Sequence, residues 1–210
     1  MMMLRKISVI FISCLALLLQ TGIVAYADYD EPETAVTNVP PSTMTAYLTN
    51  DNGTAVPVLG QLSECQKISN DTYESTYTYD VLRSVIDNDK TSSGTDSTIS
   101  VRFYLTIGYK YDNSNGKYLL TRVSGSWKFL DDQVRVTNVT VTYGCSDLLG
   151  ASQSGSKAVS NDFSFNTGFT KYALKDAGGS GLDGVIGAYL NATLKRGASS
   201  SWSFKLENYV

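Results

Sequence analysis

The stretch that decides the fold is residues 98–111, which read TISVRFYLTIGYKY. Its odd positions are all apolar or aromatic, namely Ile99, Val101, Phe103, Leu105, Ile107, Tyr109 and Tyr111. Most of its even positions are polar or small. Successive side chains of a β-strand point to opposite faces, so this period of two predicts a strand with one apolar and one polar face. A helix would spread the same apolar residues around its circumference.

A turn and a second alternating run follow this strand. Residues 112–116 read DNSNG, and Asn and Gly tolerate the positive φ that tight turns require. Residues 117–129 alternate again, so the two runs predict a β-hairpin. The side chains predicted to share the apolar face of the return strand are Leu119, Thr121, Val123, Gly125, Trp127 and Phe129.

Much of the remaining chain shows the same alternation of apolar and polar residues. Residues 134–143 form a third run whose apolar phase slips near Thr137 and Asn138, which predicts a β-bulge. Residues 186–194 and 202–206 predict a second hairpin. Weaker alternation predicts further strands at residues 45–49, 54–58, 73–81, 162–166 and 169–174.

Three segments lack this strand pattern. Residues 150–156 and 178–184 are rich in Gly and Ser and are predicted loops. For residues 81–86 we predict a strand that runs into a loop, and the alternative is one short helix capped by Asp80.

Strands with one apolar face need that face covered by another layer. Helical crossovers are absent from the pattern, so the strands should be mostly antiparallel. The sequence therefore predicts an all-β fold: an antiparallel β-sandwich of two packed sheets with about nine strands. A partly closed barrel is the alternative.

The start of the chain predicts export. Residues 1–27 combine the basic Arg5 and Lys6, an apolar run and the small-x-small cleavage motif Ala25-Tyr26-Ala27. Together these features are typical of a cleaved signal peptide. Residues 28–42 are acidic, contain three prolines and read as a flexible linker. Residues 43–210 are predicted to form a single β-sandwich domain. We expect a secreted protein, extracellular or associated with the cell surface, that meets a membrane only through its signal peptide during export.

Charge and composition exclude several classes of function. The predicted signal peptide holds two of the 17 basic residues and none of the 20 acidic ones, so the mature chain carries a net charge of −5. An acidic, unclustered surface argues against nucleic acid or an anionic membrane as the main partner. The chain has no histidine, which removes the Ser-His-Asp triad, the Cys-His pair and His-ligated zinc. No cofactor is predicted.

Two cysteines, Cys65 and Cys145, remain in the mature chain. A pair of cysteines in an exported protein is most simply one disulfide, and we predict that these two are joined. The alternative is two buried free thiols.

An aromatic ligand face is the main binding candidate. Tyr73, Tyr77 and Tyr79 share one strand face, and Tyr104 lies beside Arg102 on the polar face of its strand. Exposed aromatic rings stack on sugars and anchor protein contacts, so these five residues form a candidate face for a glycan or a protein. The alternative is that the first three tyrosines are the core side of an amphipathic strand.

Other chemistry has weaker support. Residues 112–116 and 87–89 start like calcium loops but lack the bidentate glutamate of such loops, so we predict turns and no metal. No spacing marks a pair of catalytic carboxylates, and no catalytic residue is predicted. The hairpin of residues 98–129 is also compatible with the stem of a β-pore toxin.

Several short sequence segments resemble those of a known group of proteins. The exported start, residues 141–146 (VTYGCS), 166–169 (NTGF), 193–197 (TLKRG) and 201–203 (SWS) resemble uncharacterised small secreted β-rich proteins of Gram-positive bacteria. The resemblance implies an exported protein, and no activity or site residue follows from it.

The leading hypothesis from the sequence is a non-enzymatic, exported binding domain. Its expected partner is a cell-wall or host glycan, or a surface protein. One alternative is a secreted effector, toxin or bacteriocin-like, of which a membrane-acting protein is one form. A second alternative is a carboxylate-dependent hydrolase.

Overall fold

The alternating stretch of residues 98–111 becomes a long central strand of an antiparallel sheet. The computed structural model describes residues 43–86, 98–175, 184–198 and 201–210. The predicted signal peptide, the predicted linker, the DND run at residues 87–89 and all but the last residue of the predicted loop 178–184 lie outside the described residues. All described residues belong to one compact unit.

Eleven strands and one helical turn make up the described chain. The strands are β1 (Thr43–Asn50), β2 (Ala55–Lys67), β3 (Thr72–Leu82), β4 (Ile99–Asp112), β5 (Lys117–Phe129), β6 (Val134–Ser146), β7 (Ser152–Ala158), β8 (Phe163–Asn166), β9 (Ala173–Leu174), β10 (Val185–Arg196) and β11 (Trp202–Tyr209). The helical turn α1 (Arg83–Ile86) follows β3 directly.

Hydrogen bonds link all eleven strands into one sheet. Their order is β7-β6-β10-β11-β1-β2-β3-β4-β5-β8, and β9 pairs with β5 beside β8. Every pairing is antiparallel, so the prediction of an all-β, antiparallel fold is confirmed. Strand β5 also contacts β6 and β10, which are distant from it in this order, because the sheet curls strongly into a half-barrel.

The concave face of the sheet holds the core. Val101, Leu105 and Ile107 are fully buried there, as their odd positions predict. The ring of Phe103 lies 6.2 Å from that of Trp127 and 5.0 Å from that of Phe204, measured between centroids. Burying one large apolar side chain contributes about 1.5–3 kcal/mol, so this wall of β4 is a principal source of stability.

Two local predictions are confirmed by the backbone. The pairing of β6 with β10 shifts register opposite Asn138, which has a positive φ of 53°, so the predicted bulge is present. Residues 112–116 form the turn between β4 and β5, where Gly116 has a φ of 65°. There the Asp112 carboxylate accepts a hydrogen bond from the backbone N–H of Ser114 at 3.0 Å.

The predicted apolar face of β5 is only partly correct. Val123 and Trp127 face the core, as predicted. A register shift opposite Gly108 and Tyr109 adds one residue to β5 and turns Leu120 inward in place of Thr121. Phe129, at the end of the strand, is 44% exposed.

Two segments differ from their predictions. Residues 150–156 were expected to be a loop, but β7 pairs along β6 over seven residues and most of its side chains are exposed. Gly155 is required there, because a Cβ atom would lie 2.6 Å from Cζ of Tyr143. After Leu82 the chain forms the turn α1, which matches the alternative prediction for residues 81–86.

The predicted disulfide is not formed, and Cys65 and Cys145 are both free thiols. Cys65 lies on β2 and is exposed, whereas Cys145 lies on β6 and is buried. Strands β10, β11 and β1 separate β6 from β2 in the sheet. Sγ of Cys145 lies 3.5 Å from the backbone oxygens of Tyr118 and Lys171, in a different surrounding from that of Cys65.

Side chains link the two ends of the strand order at a junction that we call the seam (Asp147, Gln153 and residues 170–174). Oε1 of Gln153 accepts hydrogen bonds from the backbone N–H groups of Thr170 and Lys171 at 2.8 and 3.1 Å, and its Nε2 donates to the Lys171 carbonyl at 2.7 Å. The Asp147 carboxylate accepts from the backbone N–H of Leu174 at 2.9 Å. These bonds take the place of a strand ladder between β7 and β9.

Candidate functional site

The outer side of strands β3, β4 and β5 carries a compact polar surface, which we call the polar face. It arises because the even positions of β4 point away from the core and meet polar positions on both neighbouring strands. Its members are Glu74, Thr76, Thr78 and Asp80 on β3, Arg102, Tyr104, Thr106 and Gly108 on β4, and Arg122, Ser124, Ser126 and Lys128 on β5.

Two rows of hydroxyl groups cross the middle of the polar face. One row is Thr78, Tyr104 and Ser126, which are paired across the strands. The next row is Thr76, Thr106 and Ser124, in which the two threonine Oγ1 atoms lie 2.8 Å apart. Each hydroxyl donates one hydrogen bond and accepts others, so the rows form a regular array of donors and acceptors.

An ion pair borders the hydroxyl rows on one side. Arg102 binds Asp80 through two hydrogen bonds, Nε to Oδ1 at 2.5 Å and Nη2 to Oδ2 at 2.7 Å. These hydrogen bonds and the charge of Asp80 raise the pKa of Arg102, and a hydrogen bond to Tyr104 adds to this effect. The guanidinium group is therefore fixed beside the Tyr104 ring.

A second ion pair borders the rows on the other side. Nη1 of Arg122 lies 3.3 Å from Oε1 of Glu74, and its Nε donates to Oγ of Ser164 at 3.0 Å. Gly108 lies between these two residues in the sheet, and a Cβ atom there would approach Cβ of Arg122 to 3.2 Å. With about 6.8 Å between alternate residues of a strand, the four rows span roughly 20 Å.

The predicted ligand face is wrong as a single surface, because the sheet separates its five residues. Tyr77 and Tyr79 are fully buried on the concave side, as the alternative of a core strand predicts. Tyr73 is partly buried on that side and stacks on Tyr109 at 5.6 Å. Arg102 and Tyr104 lie on the outer side and belong to the polar face.

The buried tyrosines differ in their hydrogen bonding. The hydroxyl of Tyr79 donates to the Glu207 carbonyl, whereas that of Tyr77 has no hydrogen-bond partner in the described structure. Burial raises the pKa of Tyr77 to about 12, with a smaller contribution from Cys65. Both rings therefore serve packing, and neither is presented to a ligand at the surface.

The hydroxyl rows were missed by the sequence reasoning. The residues concerned are Thr76, Thr78, Thr106, Ser124 and Ser126. The even positions of residues 98–111 indicated the polar side of β4. Which residues of β3 and β5 lie beside them depends on the register between the strands, which alternation alone does not supply.

The described residues were also compared with the geometry that a metal site requires. They contain no group of three or more Cys, Asp or Glu side chains placed to hold a metal ion. On the polar face, the carboxylates Asp80 and Glu74 are each engaged by an arginine.

Comparison with known protein families, curated proteins and solved structures found no match to this chain. In the part of the chain that the structure describes, no helix has the length and apolar character needed to span a membrane.

Proposed function

We propose that this protein is an exported, non-enzymatic domain that binds an extracellular glycan through its polar face. The observation that carries the proposal is the pair of hydroxyl rows around Tyr104, bordered by the Arg102–Asp80 and Arg122–Glu74 ion pairs. A saccharide presents hydroxyl groups and an apolar ring face. This surface offers hydrogen-bond partners for the hydroxyls and one aromatic ring for stacking.

The polar face is prepared for binding before a ligand arrives. The two arginines are already held by their carboxylate partners, and the Thr76–Thr106 hydroxyl contact fixes both side chains. Less side-chain entropy is lost on association when the contacting groups are already ordered. This pre-ordering supports a binding function for the polar face over the role of an ordinary solvent-exposed surface.

The openness of the surface favours a polymer over a free sugar. Each hydrogen bond contributes about 0.5–1.5 kcal/mol net, so contacts with a single sugar on an exposed sheet give weak affinity. A chain of repeating units engages several rows at once and gains from effective concentration. Cell-wall and host polysaccharides are the partner class that this geometry fits.

An array of wall polymers and host glycans, probed with the purified mature chain, tests the proposal. We expect binding to at least one polysaccharide, and Tyr104→Ala should weaken that binding at least tenfold because the stacking ring is lost. Tyr47→Ala is the matched control, since Tyr47 is 51% exposed on β1, outside the polar face.

Two results would contradict the proposal. One is an absence of binding to every glycan while a protein ligand is captured through the same face. The other is equal loss of binding in Tyr104→Ala and Tyr47→Ala.

A further inference from the structure

The polar face carries one positive charge that no described carboxylate neutralises. Three of its members are cations and two are carboxylates. Arg102 binds Asp80, and Arg122 binds Glu74. Lys128 is exposed and forms no ion pair within the described chain. The ammonium group of Lys128 is therefore the uncompensated charge of this surface.

Lys128 lies directly opposite Arg102, so two like charges face each other across β4 and β5. The Cβ atoms of such a pair are about 4.5–5.5 Å apart, and directly opposed like charges destabilise a sheet. Asp80 lies on the other side of Arg102, on β3, and takes two of its five N–H donors. Donors remain on Arg102, so Arg102 and Lys128 together can bind one shared anion.

The two cations border the hydroxyl row that contains the aromatic ring. Tyr104 and Ser126 form the next outward-facing pair along the same two strands. The four side chains make a corner of the polar face, about 5 Å wide between the strands and about 6.8 Å long. These dimensions are close to those of a single sugar unit. One unit stacked on Tyr104 can therefore reach both cations.

We propose that the polar face selects acidic polysaccharides, with a sugar carboxylate bound between Arg102 and Lys128. This inference rests on the glycan-binding function proposed above and names the class of glycan. A uronic acid carries its carboxylate directly on the ring, so a ring placed over Tyr104 holds the carboxylate beside the neighbouring pair of cations. The carboxylate oxygens accept charge-assisted hydrogen bonds from both side chains.

The charges elsewhere on the protein favour a polymer with well-separated carboxylates. The predicted mature chain has a net charge of −5, and Asp80 and Glu74 lie on the polar face itself. These negative charges repel a polymer that carries a charge on every unit. A polysaccharide in which uronic acid units alternate with neutral sugars brings one carboxylate to the two cations and keeps neutral units over the rest of the surface.

Binding of the purified mature chain to uronic acid polysaccharides, hyaluronan among them, and to their carboxyl-reduced forms tests the proposal. Reduction turns each carboxylate into a primary alcohol, so the two forms of a polymer differ in charge and keep the same sugar linkages. We expect the acidic form to bind about fivefold more tightly, the upper range for an exposed ion pair. In about 1 M salt, where the Debye length is about 3 Å, this preference should shrink.

Charge variants locate the preference on the polar face. Lys128→Gln should abolish the preference for the acidic form and keep the binding of the reduced form, whereas Lys128→Arg should keep both. Lys67→Gln is the matched control, because Lys67 is an exposed lysine of β2 outside the polar face and its loss changes the net charge equally. Lys128→Gln should unfold at the same or a higher temperature, because it removes the opposed charge.

The outcomes separate this inference from the function on which it rests. Equal binding of acidic and reduced polymers by the unmodified chain would overturn the inference and leave glycan binding intact. Equal loss of the preference in Lys128→Gln and Lys67→Gln, or a stronger preference for polymers whose charge is phosphate, would also overturn it. Absence of binding to every polymer, the neutral ones included, would instead contradict the proposed function itself.

Discussion

Nε of Arg196 lies 2.7 Å from Oδ2 of Asp131, and only 10% and 11% of these two side chains are exposed. The pair joins the turn after β5 to the end of β10, where the Gly197 N–H also donates to the Gln133 carbonyl at 3.0 Å. Within the described chain it is the most deeply buried of the ion pairs between charged side chains.

Removing the carboxylate of this pair should be costly. Asp131→Asn removes the negative charge that the Arg196 guanidinium binds at 2.7 Å, and we expect a loss of about 1.5–3 kcal/mol in the free energy of unfolding, measured by urea denaturation at pH 7. Asp132→Asn, at the neighbouring exposed position, is the control and should change stability by less than about 0.5 kcal/mol. Similar losses in both variants would contradict a specific role for the pair.

The same ion pair makes stability depend on pH. The hydrogen bond from Arg196 holds the pKa of Asp131 below its usual value of 3.8. A lowered pKa in the folded state gives stability that is present above the unfolded value and is lost as the pH falls through the folded value. Below about pH 4 the unmodified protein should lose more stability than Asp131→Asn does. The prediction would be contradicted if the free energy of unfolding fell by the same amount in both proteins between pH 7 and pH 2.

Two buried tyrosines should respond in opposite ways to loss of their hydroxyl group. Tyr77→Phe removes a buried hydroxyl that has no hydrogen-bond partner among the described residues, so stability should stay the same or rise. Tyr79→Phe leaves the Glu207 carbonyl without its donor and should cost about 1–3 kcal/mol. Thermal unfolding of the two variants provides the comparison, and an equal loss in both would refute it.

The seam should open locally when Gln153 is replaced. Gln153→Leu leaves the backbone N–H groups of Thr170 and Lys171 unpaired, so their amide hydrogens should exchange faster while those of β4 stay protected. Gln61→Leu, at an exposed position of β2, is the control and should leave exchange at residues 170–171 unchanged. Unchanged protection in Gln153→Leu would show that these hydrogen bonds do not hold the segment.

The two thiols should differ in reactivity. Iodoacetamide should label the exposed Cys65 in the folded protein and reach Cys145 only after unfolding. Although the residue is exposed, partial desolvation of its thiol raises the pKa of Cys65 above 9.0, partly offset by a hydrogen bond with Tyr109, so labelling should accelerate as the pH rises through and beyond 9. Mass spectrometry of the labelled peptides measures both rates, and rapid labelling of folded Cys145 would contradict its burial.

Alternation in the sequence was enough to predict the fold class but not the placement of side chains between strands. Residues 98–111 gave the central strand, and the phase slip at Asn138 gave the bulge, because both are local features. Strand β7 was missed since its Ser- and Gly-rich residues have no apolar side, and β6 supplies its pairing from outside the segment.

The errors in the candidate site have a related cause. Tyr77 and Arg102 were grouped although neighbouring strands carry them on opposite faces, and only the register shows this. Cys65 and Cys145 were paired without knowledge of the strand order, which places three strands between them. Distances that depend on strand order are not contained in alternation along one strand.

The ion pairs of the polar face carry a consequence for the environment in which the protein works. Arg102 with Asp80 and Arg122 with Glu74 cancel most of the charge of this surface, so it attracts ligands by short-range contact and with little long-range field. If the polar face binds glycans as proposed, capture of an uncharged polysaccharide should therefore be nearly as strong in concentrated brine as in dilute buffer, because salt has little long-range attraction to screen.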